Sequence, residues 1–231
     1  MTRVVLFDID GTILLSGGAG RVAMEAALVE AFGTAGPREY RYDGKTDKLI
    51  VRESMRLAGF ADADIDARMD SVLTRYLDNL RHALAETSRK AYTLPGVVEL
   101  VEAVDRADDL VLGLLTGNLV AGARAKLGAV GLDFARFRVG AFGNDHEDRP
   151  ALPPIAQQRA SEFLGYAVPG ERLVIIGDTP ADVHCGRGVG ARAIAVATGG
   201  YSVAELQAHA PAAAFDDLSD TARVLEAIRD A

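Results

Sequence analysis

Two aspartates one residue apart, Asp8 and Asp10 in Asp8-Ile9-Asp10-Gly11-Thr12, are the first side chains in this sequence that could do chemistry. They close an apolar run, Arg3–Ile9, that reads as a buried strand. Alternate residues of a strand share a side, so both carboxylates face the same way at its end. Two such acids cannot both ionise cheaply in a protein interior without a cation or a shared proton. A hard divalent ion with oxygen ligands, such as magnesium, meets that need. The plain alternative is a turn, in which Asp and Gly are ordinary residues.

Two further clusters sit at strand ends. Gly177-Asp178-Thr179-Pro180-Ala181-Asp182 follows the run Arg172–Ile176. Asp178 can give a metal a third carboxylate, and Asp182, one turn on, can orient ligands or waters. Asp178 or Thr179 can equally cap a helix with Pro180 in its first turn. Thr116-Gly117-Asn118 lies between the run Leu110–Leu115 and a helical stretch, Asn118–Val130, that Asn118 could cap. A hydroxyl and unpaired N–H groups at a helix start form an anion site, although a simple strand–helix turn would look the same. His184 and Cys185 are adjacent, so a helix would point them apart, and they read as packing residues. The four histidines are scattered and show no metal spacing.

The elements that position these residues alternate. Strands are predicted at Arg3–Ile9, Leu110–Leu115, Arg172–Ile176 and Ala193–Ala197, with weaker ones at Phe137–Phe142 and Ala212–Phe215. Val97–Ala107 and Ile155–Leu164 are amphipathic stretches between them. Near-continuous apolar strands separated by helices predict an α/β fold, a doubly wound Rossmann-like parallel sheet that binds ligands at the strands' carboxyl ends. Residues 16–92 break the pattern with helical periodicity alone, at Arg21–Phe32, Asp47–Leu57 and Ile65–Leu84. The expected division is a core of residues 1–15 and 93–231 with an all-helical insertion, 16–92, over the strand ends.

Composition narrows the classes of partner. A formal charge of −8 argues against nucleic acid or an anionic membrane, both of which need a basic face. The single cysteine allows no internal disulfide and suits a reducing compartment. Met1–Phe7 is no signal peptide and no run is long enough to span a bilayer, so a cytoplasmic protein is expected.

Asp-x-Asp-Gly-Thr, then Thr-Gly-Asn, then Gly-Asp-Thr-x-x-Asp, each at a strand end and in this order, resembles the haloacid dehalogenase superfamily over nearly the whole chain. The long helical segment resembles that superfamily's cap domain. The resemblance implies a magnesium-dependent phosphatase acting on a small phosphorylated metabolite as a monomer or homodimer. Asp8 would form an aspartyl-phosphate, and Asp10 would protonate the leaving oxygen and then activate water. Asp8, the Asp10 carbonyl and Asp178 would hold Mg2+, while Thr116, Gly117 and Asn118 would bind phosphoryl oxygens. A cation against the phosphate is also implied. Arg149 of Arg149-Pro150 is the best match and Arg159 the alternative. Gly44 and Lys45, in a segment resembling the specificity loop of phosphoglycolate-phosphatase-like members, would meet the organic part of the substrate.

Asp10 argues against a dehalogenase, whose leaving group needs no proton. A phosphonatase, with Lys45 or Lys48 as a Schiff-base lysine, and a sugar-phosphate mutase are the alternatives within the superfamily. From another class, Gly18-Ala19-Gly20-Arg21-Val22-Ala23 matches a dinucleotide fingerprint. Those glycines do not follow the strand directly, and they read better as a hinge into the cap.

Overall fold

The computed structural model describes residues 2–86 and 91–231. Its first strand, β1 (Arg3–Phe7), is covered on both faces. Val4 and Leu6 pack with Leu152, Ala156 and Ala160, whereas Val5 and Phe7 pack on the other side with Leu100, Val224 and Ile228. That alternation is what a central parallel strand requires. A short strand, β2 (Leu14–Leu15), leads into three helices, α1 (Ala19–Phe32), α2 (Asp47–Leu57) and α3 (Asp62–Ala85). The chain returns through β3 (Tyr92–Thr93), which pairs antiparallel with β2. Strands and helices then alternate: α4 (Val97–Arg106), β4 (Leu110–Leu115), α5 (Val120–Ala129), β5 (Val139–Ala141), α6 (Leu152–Leu164) and β6 (Leu173–Gly177). The chain ends with α7 (Pro180–Cys185), β7 (Arg192–Val196), α8 (Val203–Gln207), β8 (Ala213–Phe215) and α9 (Thr221–Asp230).

Six strands form one parallel sheet in the order β5-β4-β1-β6-β7-β8. The fold is therefore α/β and doubly wound. The strand order reverses at β1, which opens a crevice beyond the carboxyl ends of β4, β1 and β6. The helices α1, α2 and α3 have their own core of Met24, Leu28, Met55, Ile65, Tyr76 and Leu80. Leu119, just before α5, packs into that cluster and ties the helical unit to the sheet. No helix among the described residues is long and apolar enough to cross a membrane.

The structure refines or adds to the expected elements at three points. The stretch Phe137–Phe142 pairs only at Val139–Ala141, because the Phe137 N–H closes a 3-10 turn onto Phe134 instead of joining the sheet. Gly18, Ala19 and Gly20 lie at the entry to the helical unit. Gly18 is left-handed (φ 82°) at the start of α1, and the other two lie inside the helix. The antiparallel pair β2–β3 was not expected within or beside segment 16–92, since two residues leave no periodicity to read. Residues 87–90 of that segment lie outside the described residues.

Candidate active site

Asp8, Thr116 and Asp178 directly follow β1, β4 and β6, three neighbouring strands. Asp8 and Thr116 keep their main chains in the sheet, the first donating to Ile176 O at 2.9 Å and the second to Ala141 O at 3.1 Å. These residues line one cavity of about 480 Å³ together with Asp10, Gly117, Asn118 and Arg149.

The carboxylates of Asp8, Asp178 and Asp182 are all buried, and an oxygen from each lies within 4.8 Å of the others. One cation faces them. The Arg149 guanidinium, 4% exposed, is 3.0 Å from Asp8 Oδ1 and is also bonded to Asp182 Oδ1. Three buried acids against one base leave negative charge uncompensated. Burial raises Asp8 to about 6, with Asp182 and Asp10 adding to the shift and Arg149 opposing it. Burial, then Asp182 and Asp8, raises Asp178 to about 8. Burial disfavours the charge of Arg149, but Asp182 and Asp8 outweigh it and keep the guanidinium protonated.

This donor set fits a hard divalent cation. Asp182 accepts from the Thr179 N–H at 3.0 Å and its hydroxyl at 2.6 Å through Oδ2, in a capping box at the start of α7. With its other oxygen on Arg149, Asp182 supports the cluster, and Asp8 and Asp178 are the better donors. Asp178 itself is held by the Thr12 hydroxyl, which donates at 3.1 Å. Its other oxygen lies in a backbone cradle. A Cβ on Gly11 would come within 2.4 Å of Oδ2, and one on Gly199 within 1.8 Å. Gly11 also has φ +83°. Gly11→Ala is therefore expected to cost on the order of 1 kcal/mol from backbone strain alone. By turning Asp178 it should also weaken divalent-ion binding at least about tenfold. Calorimetric titration with Mg2+ checks this, and unchanged affinity would contradict it.

The same cluster predicts an unusual pH dependence. Asp8 and Asp178 lie above the ordinary carboxylate range, as does Asp47, which burial raises to about 6. Between the unfolded value near 4 and each folded value, the native state holds protons that the unfolded chain has released. The metal-free protein should therefore lose stability as pH rises from about 4 to about 8. His184, lowered by burial, Arg187 and His209, works weakly in the opposite direction. Divalent ions should restore stability at pH 8 and do little at pH 5. Scanning calorimetry in EDTA and in Mg2+ tests this, and a melting temperature in EDTA that rises over this range would refute it.

Asn118 does not cap α5, as its position suggested. The cap residue is Leu119, without a side-chain bond. The Asn118 amide instead donates to Asp10 Oδ2 and to Thr116 Oγ1, both at 2.8 Å. Gly117 lets the helical unit approach, since a Cβ there would lie 2.1 Å from Lys45 O. The Asp47 N–H donates to Gly117 O at 2.9 Å, and Asp47 Oδ2 accepts from Leu119 N at 2.8 Å.

The other cations separate. Arg159 pairs with Asp145 and with Gly140 O, away from the cluster. The Lys45 ammonium is held by Glu53 and Tyr40, although Gly44 and Lys45 both line the cavity. Lys48 bonds Asn144 O. Cys185 is buried with its thiol raised to about 12 by burial, and His184 faces His209, so these two form no reactive pair.

Sequence reasoning missed Lys126 and Asp47. Lys126 is buried on α5 with its ammonium on Asp10 and Asn118. Its helical spacing from Asn118 could be read from the sequence, but spacing alone does not mark a lysine as buried. Asp47 was read only as the first residue of a helix, whereas Tyr76, at a core position of its helix by spacing, is buried in the core of the helical unit.

The profile of the haloacid dehalogenase-like hydrolases matches residues 5–187. A phosphoglycolate phosphatase of Rhodospirillum rubrum is 27% identical over 223 residues, 95% of this chain and 89% of that protein. A hydrolase from Pseudomonas syringae superposes with a TM-score of 0.72 at 23% identity, covering 98% of both chains. CbbY from Rhodobacter sphaeroides, solved in complex with phosphate, gives 0.72 at 21% identity over 95% of this chain and 96% of its own. A match over most of the length, with the three acidic and hydroxyl motifs gathered at one crevice, settles the family: the chain belongs to the haloacid dehalogenase-like hydrolases.

Proposed function

We propose that this protein is a magnesium-dependent phosphatase that hydrolyses a small organic phosphomonoester, phosphoglycolate or a similar short metabolite, through an aspartyl-phosphate on Asp8. The observation that carries the reading is the Asp8 carboxylate in the cavity, flanked by Arg149 at 3.0 Å and by Asp178 and Asp182 within 4.8 Å. The likeness to a phosphoglycolate phosphatase supports the substrate class.

Each residue then has a part. Asp8 Oδ attacks phosphorus while the bond to the leaving oxygen breaks. Asp10 gives that oxygen its proton and later takes one from the attacking water. Arg149 is suited to the transferring group, because its guanidinium lines the cavity 3.0 Å from Asp8 Oδ1. The Thr116 hydroxyl and the Gly117 N–H, just before α5, bind the remaining phosphoryl oxygens, and Asn118 holds that turn through its bonds to Thr116 and Asp10. Asp8, the Asp10 carbonyl and Asp178 would hold Mg2+, which neutralises charge on the phosphoryl group. The helical unit, residues 16–92, acts as a cap that shields the site from water. Gly44 and Lys45, on its cavity face, meet the organic part of the substrate.

A phosphonatase reading is disfavoured by Lys45, whose ammonium is engaged by Glu53, and by Lys48, which is directed to Asn144 O. A panel of metabolite phosphates, assayed for phosphate release with and without Mg2+, tests the proposal. Release that needs magnesium and a phosphomonoester supports it. Release only from phosphonoacetaldehyde, or none from any phosphomonoester, refutes it.

A further inference from the structure

Lys126 is the one buried lysine among the described residues, at 4% exposure. Its ammonium donates to Asp10 Oδ1 at 2.8 Å, Asp10 Oδ2 at 2.6 Å and Asn118 Oδ1 at 2.6 Å, which uses all three of its protons. Asn118 closes the ring by donating to Asp10 Oδ2 at 2.8 Å. A buried lysine needs a carboxylate, and any buried acid would serve if stability were the only demand. The acid held here is far more exposed than its neighbour Asp8. The Asp10 side chain is 42% exposed, against 7% for Asp8. A carboxylate so exposed would otherwise turn among several rotamers. Lys126 and Asn118 grip it from beneath and leave one orientation over the cavity it shares with Asp8.

The grip also includes the helical unit. Gly20 of α1 stands over the ammonium, where a Cβ would lie 3.4 Å from Nζ. Asp47 at the start of α2 fixes the neighbouring backbone by accepting from Leu119 N at 2.8 Å. Helix α1 covers one side of the Lys126 ammonium.

We propose that Lys126 is a positioning residue for proton transfer, orienting the Asp10 carboxylate toward the leaving oxygen of a phosphomonoester attacked by Asp8. The inference rests on the phosphatase reading above. In the step concerned, the Asp8 oxygen bonds to phosphorus, the ester P–O bond breaks, and the Asp10 proton goes to the departing alcohol. In the return step water attacks phosphorus, its proton goes to Asp10, and the acyl phosphate P–O bond breaks.

The leaving group makes the role measurable. An alkyl phosphate needs a proton on its departing oxygen, whereas 4-nitrophenyl phosphate releases a stable anion without one. Lys126→Met keeps the length of the stem and removes the grip. In single-turnover experiments with magnesium-loaded enzyme in excess, it should slow alcohol release from the alkyl ester about a hundredfold. Release of 4-nitrophenolate should stay within about threefold of wild type, with KM for both esters equally little changed. Lys126→Met added to Asp10→Asn should cause no further loss on the alkyl ester, because both act through one carboxylate. A crystal structure of Lys126→Met should show the Asp10 carboxylate turned from its present place. An equal fall on both esters, no fall on either, or an Asp10 that has not moved would overturn the proposal. A wild type that releases phosphate from neither ester would instead overturn the phosphatase reading, and the role of Lys126 with it.

Discussion

Asp8→Asn should abolish phosphate release, lowering kcat/KM by at least about 10⁴-fold, and should leave the protein folded. The amide is isosteric but is not a nucleophile, so the covalent step has no starting atom. The structural consequence runs the other way. Burial raises the Asp8 pKa to about 6, so at pH 8 the native state carries its charge at a cost relative to the unfolded chain. Asn removes that charge and keeps an oxygen for the Arg149 N–H, which lies 3.0 Å from Asp8 Oδ1. Arg149 also keeps Asp182. The metal-free variant should therefore melt no lower than wild type at pH 8, while losing most of the stabilisation that Mg2+ gives. Activity assays and calorimetry on one preparation separate the two effects. Residual activity within tenfold of wild type would remove Asp8 as the nucleophile, and a lower melting temperature in EDTA would contradict the charge argument.

The pattern of that argument shows what the sequence could and could not reveal. The strand ends were legible because a central parallel strand must be apolar on both faces, so Asp8 and Asp178 interrupt the pattern where the chain leaves the sheet. Thr116 was legible for the same reason, at the end of Leu110–Leu115. The helices α2 and α3 were legible from periodicity, since their buried residues share one stripe, whereas in α1 Val22 and Val29 are exposed and the buried face is Ala23, Met24, Ala27 and Leu28. Lys126 was not, because a lysine on a helix is ordinarily solvated, and it is buried here by the approach of α1, α2 and α3 over α5. The role of Asn118 was misread for a related reason. Its position suggested a cap, whereas its amide found a stronger partner in Asp10, which lies far from it in sequence. The choice between Arg149 and Arg159 was also a matter of tertiary structure. Arg149 lies in a 3-10 turn just before α6 that faces Asp8, while Arg159, within α6, reaches only Asp145 and Gly140.

Arg149→Met should be the most damaging substitution to stability and activity together. It leaves Asp8, Asp178 and Asp182 buried with no facing cation. Removing one partner of a buried pair costs about 3–5 kcal/mol, a large share of a typical stability of about 5–15 kcal/mol. The loss should be greatest at pH 8 in EDTA. It should shrink as pH falls below the raised values of Asp178 and then Asp8, because protonated carboxyls no longer need the guanidinium. Urea denaturation at pH 5 and pH 8 measures this difference. On activity, the loss of a preorganised donor should lower kcat/KM by at least about 10²–10³-fold. Arg149→Lys should recover stability better than activity, since an ammonium supplies charge without the planar fork that pairs with two oxygens at once. Arg159→Met provides the contrast. Its partner Asp145 lies outside the cavity, so activity should be unchanged and stability lowered by no more than about 1 kcal/mol. If Arg149→Met were as stable at pH 8 as at pH 5, or if Arg159→Met lost activity equally, Arg149 would not be the cation that balances the acids of the site.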